Sequence, residues 1–420
     1  MPPFGGLYYF FMLLYDLYKG KDYRIVPTLD RIQKAVKFLG LENLHYVSFQ
    51  VGGTNGKGST CAFLESILRH HGYKTGWFVS PHLVEEEERW RINGQKMPST
   101  KLEHYVKELK GVFERFELTY FEACTLIALK YFEDEKVDVA VFEVGMGGRW
   151  DATKMCNPSV CVITNVERDH TKWLGTDVES RAVEKLGIYR KGVPLILGSM
   201  KFPLYTKALE MCDPRDLIVG GLDFFSYGRI SKEKTVLEEY VWKNMHIKEV
   251  PLGLWGKWQI GNASLAITAA GSLIKLNADI LKEALKNTYW EGRMEIVRSN
   301  PLLILDGAHN TDSIKKVVRE VKKYIGGITP VFTGLKEKEW KESMYFLREL
   351  SERIYLVQIK HHRGEKLELL EKHAKEVGFR EVVPLSSSEE VPYIDEDLLV
   401  IGSLYLVGEV KSAMEHARKL

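Results

Sequence analysis

Hydrophobic residues in the first half of the chain form short, nearly continuous runs that do not alternate with polar residues. Helical patterns of apolar and polar positions separate these runs. Short runs rich in Val, Ile and Leu are typical of strands buried on both faces of a parallel sheet. The four runs are Tyr46–Val51, Val137–Val144, Val160–Val166 and Pro194–Gly198. The pattern therefore predicts an α/β domain built on a parallel sheet.

The pattern changes between residues 221 and 251. Here the β-prone segments Phe224–Ile230 and Glu239–Ile247 predict antiparallel hairpins appended to the sheet. A helical pattern resumes at Leu265–Leu276. Near the start of the chain, Leu7–Leu17 is apolar and aromatic, but it is too short to cross a bilayer and lacks the features of a signal peptide. We interpret it as a core-facing first helix.

A second, smaller α/β unit is predicted in the last third of the chain, where new strand candidates alternate with helical patterns. The candidates are Leu302–Asp306, Pro330–Gly334, Ile354–Ile359 and Leu398–Gly402. We therefore expect two domains, residues 1–290 and residues 291–420. The fold class is α/β, with a parallel-sheet first domain that carries a small antiparallel insertion and a Rossmann-like second domain.

Composition narrows the class of protein. The 420 residues are 45% hydrophobic and 28% charged, as in ordinary globular proteins, and the formal net charge of +2 gives no reason to expect a nucleic acid or a membrane as partner. The five cysteines include no Cys-x-x-Cys pair, so neither a disulfide framework nor structural zinc is expected. We expect a cytoplasmic protein. The densest charge run, Glu85–Glu88, is interpreted as a solvated loop.

Residues 52–60, Gly-Gly-Thr-Asn-Gly-Lys-Gly-Ser-Thr, join the first predicted strand to an amphipathic helix. Such a loop is typical of a phosphate site, because backbone N–H groups and the helix N-terminus attract the anion and the lysine neutralises it. The first domain is therefore predicted to be a P-loop-type ATPase domain. The spacing departs from the usual motif, since Gly58 separates Lys57 from Ser59. The hydroxyl that normally follows the lysine and holds Mg²⁺ is missing from that place.

Polar residues follow several predicted strands at their carboxyl ends, where an open α/β sheet binds its ligands. Glu143 ends the second run, Asp169 and His170 follow the third, and Ser80 follows another β-prone segment. Each residue alone is explained by a cap, a turn or the surface. Together, beside a phosphate loop, they predict an Mg²⁺ site in which Ser80 supplies the missing hydroxyl. In the second unit, the cluster Asp306–Asn310 ends the first strand in the same way.

The motifs are specific in combination and occur in a defined order. They are Gly53–Ser59, Ser80–Leu83, Glu143–Thr153, Asp169-His170, Glu184–Ile188, Gly292-Arg293, Asp306–Asn310 and Gly402–Tyr405. With these motifs the chain resembles the folylpolyglutamate synthase/dihydrofolate synthase family, within the Mur ligase superfamily of ATP-dependent amide-forming ligases. The resemblance runs from about residue 20 to residue 412, nearly the whole chain.

The resemblance implies ATP and two Mg²⁺ ions as ligands of this site. The implied ATP contacts are Asn55, Gly56, Lys57, Gly58, Ser59, Asn262, Arg293 and Asp306. The implied metal ligands are Ser80, Glu143 and His170, together with Lys185, which is carbamylated in the family and would help to hold the second ion. The implied catalytic residues are Lys57, His170, Lys185 and His309.

The resemblance also implies the other substrates. The implied pterin-binding residues are Thr28, Leu29, Asp30, Arg31, Thr119, Tyr120, Phe121, Glu122, Arg149, Trp150 and Asp151. The residues implied near the incoming L-glutamate are His309, Ser403 and Arg89. In the implied reaction, ATP phosphorylates a pterin or folate carboxylate and the glutamate amine attacks the acyl phosphate. The expected partners are these small molecules, with no nucleic acid or membrane, and the expected state is a monomer.

Two other functions are weighed against this one. A Mur-type ligase for a cell-wall precursor usually has Thr or Ser directly after the lysine, where this chain has Gly58. A nucleotide-dependent switch protein is expected to carry an N-K-x-D motif, which the chain lacks. Within the folate family, the enzyme adds the first glutamate to dihydropteroate, extends the tail of folates, or does both. The pterin-binding segments favour both activities.

Overall fold

The computed structural model describes residues 14–18, 27–167 and 177–417. These residues form an eight-stranded sheet, a three-stranded sheet and a six-stranded sheet, with helices packed against them. The predicted α/β class, with a small antiparallel insertion and a second α/β unit, is confirmed. Of the predicted first helix, only residues 14–17 are described; they belong to the short helix Leu14–Tyr18, whose Leu14 is buried. No helix in the described ranges is long and apolar enough to cross a membrane.

The first sheet is parallel over six strands and ends in an antiparallel hairpin. Its strands are β1 Val47–Gly52, β2 Thr75–Phe78, β3 Trp90–Ile92, β4 Gln95–Lys96, β5 Val139–Glu143, β6 Val160–Ile163, β7 Leu195–Leu197 and β8 Leu217–Val219. Their order is β4-β3-β2-β5-β1-β6-β7-β8, so the four predicted runs lie side by side. Val51 pairs with Glu143 on β5 and with Val162 on β6. The loop after β1 therefore emerges between the ends of β5 and β6.

The insertion forms a separate antiparallel sheet of its own. Its strands are β9 Phe224–Ile230, β10 Thr235–Trp242 and β11 Met245–Leu252. The predicted second strand, Glu239–Ile247, is wrong as a single strand. It spans the end of β10, the turn and the start of β11, since Trp242 pairs with Met245 and the intervening Lys243 has a positive φ of 51°. A two-residue turn between two apolar strand ends leaves little signal in the hydrophobic pattern.

The second unit is built on a six-stranded sheet with one antiparallel edge strand. Its strands are β12 Glu295–Ser299, β13 Leu302–Leu305, β14 Thr329–Phe332, β15 Arg353–Val357, β16 Glu381–Leu385 and β17 Leu398–Ile401. Their order is β12-β13-β17-β14-β15-β16. The four predicted strands are therefore its four central ones. The structure does not test the predicted domain boundary at residue 290, which remains a prediction.

Helices cover both faces of the two larger sheets. They are α1 Leu14–Tyr18, α2 Asp30–Phe38, α3 Lys57–His70, α4 Ser99–Arg115, α5 Tyr120–Asp134, α6 Val178–Leu186, α7 Leu204–Met211, α8 Trp258–Gly271, α9 Ala278–Lys286, α10 Thr311–Tyr324, α11 Trp340–Leu347, α12 Leu367–Val377 and α13 Leu404–Ala417. The predicted helix Leu265–Leu276 is misplaced, because α8 begins at Trp258 and ends at Gly271. Its first turns contain buried Gln259 and Asn262, polar residues that interrupt the apolar pattern.

The acidic run Glu85–Glu88 is not a solvated loop, so that interpretation is wrong. Glu86 and Glu87 are buried, within the 3₁₀-helix Glu86–Arg89. The Glu88 carboxylate accepts three backbone N–H bonds, from Leu83 (2.7 Å), Val84 (3.0 Å) and Glu85 (2.9 Å). Glu86 accepts from the Tyr120 hydroxyl at 2.6 Å. These carboxylates fold the loop that follows β2 and tie it to α5, which carries Tyr120.

Glu88→Ala is expected to destabilise the protein by about 1–2 kcal/mol, because three N–H groups lose their acceptor. The free energy of unfolding in urea measures this loss. Glu210→Ala is the matched control, since Glu210 pairs with Lys207 at the surface (2.9 Å), its one ion pair within the described ranges, and its loss should leave the unfolding midpoint unchanged. Equal midpoints for the two variants would restore the solvated-loop interpretation.

Candidate active site

The glycine loop has the geometry of a phosphate cradle. β1 ends at Gly52, and α3 begins at Lys57 after Gly56, whose φ of 85° favours glycine. The first N–H groups of α3 therefore face the loop and lack helical partners. The Lys57 amine donates to the carbonyls of Gly53 and Thr54, at 3.3 Å each. The cationic group thus lies over the loop that is expected to hold phosphate.

The glycine after the lysine is required by packing. A Cβ at Gly58 would lie 2.8 Å from Nε1 of Trp290 and 3.7 Å from Oε2 of Glu143. A contact of 2.8 Å is shorter than van der Waals contact, so any side chain at Gly58 would displace the indole. The unusual spacing of the motif therefore has a physical cause, which is that the Trp290 ring occupies the position of a side chain after the lysine.

The structure brings Ser80 and Glu143 together next to the loop. The backbone N–H of Ser80 donates to Oε2 of Glu143 at 3.3 Å. Burial raises the pKa of the Glu143 carboxyl, and the nearby charge of Lys57 opposes that shift. The other predicted residues of this cluster, Asp169 and His170, lie outside the described residues. Ser80 and Glu143 are thus the described part of the predicted metal site.

A divalent cation fits this pair chemically. Mg²⁺ prefers oxygen ligands, and Ser80 and Glu143 offer a hydroxyl and a carboxylate. Glu143 is only 5% exposed, and Lys57 is the main cationic influence on its carboxyl. Burying a carboxylate is costly, so a metal cation bound directly to it would be stabilising. A cluster of three His, Cys, Asp or Glu side chains is not found in the described ranges.

Lys185 lies behind the phosphate loop and not at the surface. It is buried near the end of α6, and its amine donates to the Gly53 carbonyl at 3.0 Å. This is the same carbonyl that accepts from Lys57. The two lysine amines therefore converge on the Gly53 carbonyl, in the first turn of the loop. From this position Lys185 could support the metal and phosphate region.

The predicted nucleotide contact Asn262 lies beside the loop. Its side chain is close to Gly56, because a Cβ there would be 2.5 Å from Asn262 Oδ1. Buried Gln259 accepts from Asn262 Nδ2 (2.8 Å) and donates to the Ser59 hydroxyl (3.4 Å). Gln259 was missed by the sequence analysis. Its three-residue spacing from Asn262, which places both on one face of a helix, is the signal that could have found it.

The second unit reaches the same loop. Asn310 Nδ2 donates to Asn55 Oδ1 at 3.0 Å, and Asn55 Nδ2 donates to Glu167 at 2.5 Å. Lys316 of α10 forms an ion pair with Glu167. Glu167 and Lys316 were not predicted as site residues, and Asn310 was predicted only as part of the Asp306–Asn310 cluster. They bring the end of the Asp306–Asn310 cluster into contact with the phosphate loop.

Asp306 has a structural task beside Arg293. Its carboxylate accepts from the N–H groups of Met294 and Ala308, at 2.9 Å each. Burial raises the pKa of the Asp306 carboxyl, and the neighbouring Arg293 charge opposes this. Asp306 thereby holds the segment that carries Arg293 against the end of β13. The two predicted nucleotide contacts in this unit are adjacent.

Two of the three residues predicted near glutamate, His309 and Ser403, lie at the ends of β13 and β17. The Gly402 N–H donates to the Ala308 carbonyl (2.9 Å), which places His309 and Ser403 in neighbouring loops. His309 Nδ1–H donates to the Gly307 carbonyl at 2.9 Å. Ser403 is buried, and its hydroxyl accepts from the N–H of Tyr405 at 3.1 Å.

Arg89 lies in the loop after β2, on the side of the first unit. It is buried, its Nε donates to His82 Nδ1 at 2.9 Å, and its guanidinium lies 5.3 Å from the centre of the Tyr120 ring. Burial and the Arg89 charge lower the pKa of His82 to about 3, so His82 is neutral and accepts this hydrogen bond. The loop reaches the second unit, since a Cβ at Gly408 would lie 2.0 Å from the carbonyl oxygen of Leu83.

The predicted pterin segments contain several residues whose side chains support the backbone. Thr119 and Glu122 form a capping box at the start of α5, and Glu122 also accepts from Arg31 at 3.2 Å through each oxygen. Asp151 accepts from the N–H groups of Gly145 and Met146, at 3.0 Å each. The first contacts join segment 28–31 to segment 119–122, and those of Asp151 join segment 149–151 to the loop after β5.

The remaining members of these segments differ in exposure. Trp150 is 48% exposed, and Arg149 pairs with Glu184 at 3.5 Å, beside Lys185. Phe121 lies against Gly145, where a Cβ would come within 2.6 Å of the ring. The others are Thr28, Leu29 and Asp30 at the start of α2 and Tyr120 at the start of α5. Trp150 is therefore the most accessible apolar surface among the predicted pterin residues named here.

Comparison with known proteins identifies the family. The Mur ligase middle domain matches residues 51–270, and the glutamate ligase domain of Mur ligases matches residues 292–398. The chain is 32% identical over 403 residues to a dihydrofolate synthase/folylpolyglutamate synthase of Buchnera aphidicola subsp. Baizongia pistaciae, covering 94% of this chain and 93% of that protein. The chain belongs to the dihydrofolate synthase/folylpolyglutamate synthase family. The predicted resemblance is confirmed.

Other members of the dihydrofolate synthase/folylpolyglutamate synthase family are similar in sequence or fold. A probable bifunctional folylpolyglutamate synthase/dihydropteroate synthase of Haloferax volcanii is 31% identical over 96% of this chain, which spans 50% of that protein's length. The structure of E. coli FolC in complex with DHPP and ADP has a TM-score of 0.86 at 29% identity, over 96% of this chain and 97% of that one. A bifunctional folylpolyglutamate synthase/dihydrofolate synthase with Mn, AMPPNP and L-glutamate bound has a TM-score of 0.83 at 28% identity, over 96% and 97%.

Gly58→Ala is expected to destabilise this family member by about 1–3 kcal/mol, because the new Cβ collides with Trp290. Thermal unfolding measures the change. The control is Gly111→Ala in the middle of α4, where a Cβ meets nothing within 4 Å. That variant should be stabilised by about 0.5–1 kcal/mol, since alanine favours a helix over glycine. Stabilisation of both variants would show that the indole does not require a glycine at residue 58.

Proposed function

We propose that this chain is an ATP-dependent ligase that joins L-glutamate to the carboxylate of a pterin or folate, through an acyl phosphate, with release of ADP and phosphate. One observation carries the proposal. The phosphate loop of the first unit and the Asp306–Asn310 cluster of the second unit contact each other, through the 3.0 Å hydrogen bond between Asn310 and Asn55. A ligase that activates one substrate and then attacks it with another needs both sites to face one cleft.

The residues of the site suit phosphoryl transfer followed by amine attack. The loop N–H groups and the Lys57 amine would neutralise the phosphates, which is the main requirement of this chemistry. His309 and Ser403 in the second unit and Arg89 in the first would place glutamate across the cleft. The buried positions of Ser403 and Arg89 would help to exclude water, which otherwise hydrolyses the acyl phosphate. No side chain is required to form a covalent bond.

Magnesium would be held by Ser80 and Glu143, with His170 as a third ligand, and would neutralise developing charge on the phosphates. We propose two ions, with a carbamate on Lys185 supporting the second. The buried position of Lys185 and its contact with the loop support this role, because a carbamate would turn a buried cation into an anionic oxygen ligand. The solved relative with Mn and AMPPNP is consistent with a divalent ion beside the nucleotide.

Both glutamate-adding activities are proposed for this chain. The bifunctional name of its relatives and the DHPP bound in E. coli FolC support addition to dihydropteroate as well as to folates. The segments 28–31, 119–122 and 149–151 would then hold the pterin. We further propose a cytoplasmic monomer with domains at residues 1–290 and 291–420. Five buried cysteines without disulfides are compatible with a reducing compartment.

The proposal is tested by ADP release in the presence of Mg²⁺ and L-glutamate, with dihydropteroate or tetrahydrofolate as acceptor. Both acceptors should stimulate release, and omission of either glutamate or Mg²⁺ should abolish the stimulation. Lys57→Ala should lose both activities, because the phosphates lose their cation. Stimulation by one acceptor alone would show that the enzyme catalyses only one of the two reactions. Stimulation by neither acceptor would refute the folate function.

Lys185→Ala is expected to lower ligation by about 10- to 100-fold, because the metal loses a supporting anion. Short carboxylates such as acetate should restore part of the activity. In Lys154→Ala, where the lost amine donates to the Gly187 carbonyl (2.8 Å) away from the loop, activity should persist and not respond to acetate. Independently of activity, ¹³C-bicarbonate should give a carbamate resonance in the wild type and none in Lys185→Ala. A wild type without this resonance would exclude the carbamate.

A further inference from the structure

Trp290 lies at the junction of the two sheets, between α9 and β12, and its ring is held from several sides. The ring packs on Trp77, with centres 4.5 Å apart, and the Arg91 guanidinium lies 5.1 Å from the Trp290 ring. Arg91 also pairs with Glu291 at 3.0 Å. The indole is therefore fixed in orientation by Trp77 and Arg91 of the first unit.

The indole N–H of Trp290 has no acceptor among the described residues, although Trp290 is only 8% exposed. Buried N–H groups are nearly always satisfied, because an unmade hydrogen bond is destabilising. Trp255 is equally exposed at 8%, and its N–H donates to the Ser231 carbonyl at 2.9 Å. Among the described residues, the N–H of buried Trp77 also lacks an acceptor, so the unsatisfied donors are those of the packed Trp77–Trp290 pair beside the loop and not of every buried tryptophan.

The position of Nε1 indicates what it could bind. It is the atom nearest to the point where a Cβ at Gly58 would lie, at 2.8 Å. Gly58 is the second residue of α3, at the helix end whose N–H groups face the phosphate site. In the usual motif this place holds a hydroxyl that ligates the metal. An indole N–H cannot ligate a cation, but it can donate to an anionic oxygen.

Two acceptors could satisfy this donor, and the structure favours one. Glu143 is near, with Oε2 at 3.7 Å from the same Cβ point, but it accepts from Ser80 and forms no hydrogen bond with Trp290. Its carboxylate is also the predicted metal ligand, so its lone pairs are needed elsewhere. A phosphate oxygen on the N-terminus of α3 would meet the donor without displacing either contact.

We propose that the indole N–H of Trp290 donates to a phosphate oxygen of the nucleotide bound at residues 52–60, a phosphate-binding contact that takes the place of the hydroxyl after the lysine. This inference rests on the proposed function. The departure from the usual motif would then have a chemical consequence. Glycine at residue 58 removes a hydroxyl that binds the metal, and it leaves room for an indole N–H that donates to phosphate. Because Trp290 precedes β12 by few residues, the contact also ties the nucleotide to the start of the second sheet.

The test is ADP binding by the full chain, followed by calorimetry, with and without Mg²⁺. Trp290→Phe keeps the aromatic packing and removes only the N–H and part of the ring. It should bind ADP about tenfold more weakly than the wild type in both conditions, since one charge-assisted hydrogen bond is lost. The rise in thermal midpoint caused by ADP should shrink accordingly.

Trp255→Phe is the matched control, because it loses a similar ring volume and a satisfied hydrogen bond away from the loop. Without ligand it should be the less stable of the two variants, yet its affinity for ADP should equal that of the wild type. If the wild type binds ADP and Trp290→Phe binds within twofold of it, this inference is wrong while the proposed function stands. A loss of ADP affinity seen only with Mg²⁺ would indicate that the Trp290 N–H donates to the metal ligand Glu143. That result would overturn the proposed phosphate contact. A wild type that does not bind ADP would refute the proposed function and this contact together.

Discussion

The close packing of the Trp290 indole on Gly58 is the constraint on which the rest of the site depends. The indole can lie there only because residue 58 has no side chain. It places the segment between the two sheets directly on the first turn of α3, where the Arg91–Glu291 pair holds it. The second sheet is thereby positioned so that Asn310 reaches Asn55. The absence of a side chain at residue 58 thus allows the segment between the two sheets to pack against the phosphate loop.

The same constraint moves the expected metal hydroxyl to another loop. Ser80 follows β2, which is separated from β1 only by β5 in the sheet, so its backbone can donate to Glu143 at the end of β5. The backbone of the loop after β2 is held in place by acidic side chains that follow Ser80 in the same loop. Glu88 accepts three backbone N–H groups and Glu86 accepts from Tyr120. The acidic run therefore supports the site by fixing the backbone of this loop.

Much of this could be predicted from the sequence, and the failures have physical causes. The central strands were predictable because they are buried on both faces and appear as continuous apolar runs. The edge strands β12 and β16 are half-exposed and leave no such run. The start of α8 was missed because Gln259 and Asn262 are polar residues buried against the loop. Contacts such as Asn55 with Asn310 join residues 255 positions apart, and a single sequence does not show which distant residues meet.

We propose that Ser80 supplies the metal hydroxyl because Gly58 makes room for Trp290. The position of the ion in crystals grown with Mn²⁺ and AMPPNP, located by anomalous scattering, tests this proposal. We predict an ion bonded to Ser80 Oγ and to the Glu143 carboxylate, at about 2.1 Å from each as for an octahedral oxygen site. An ion bonded to the Ser59 hydroxyl, with Ser80 outside its coordination shell, would contradict this claim.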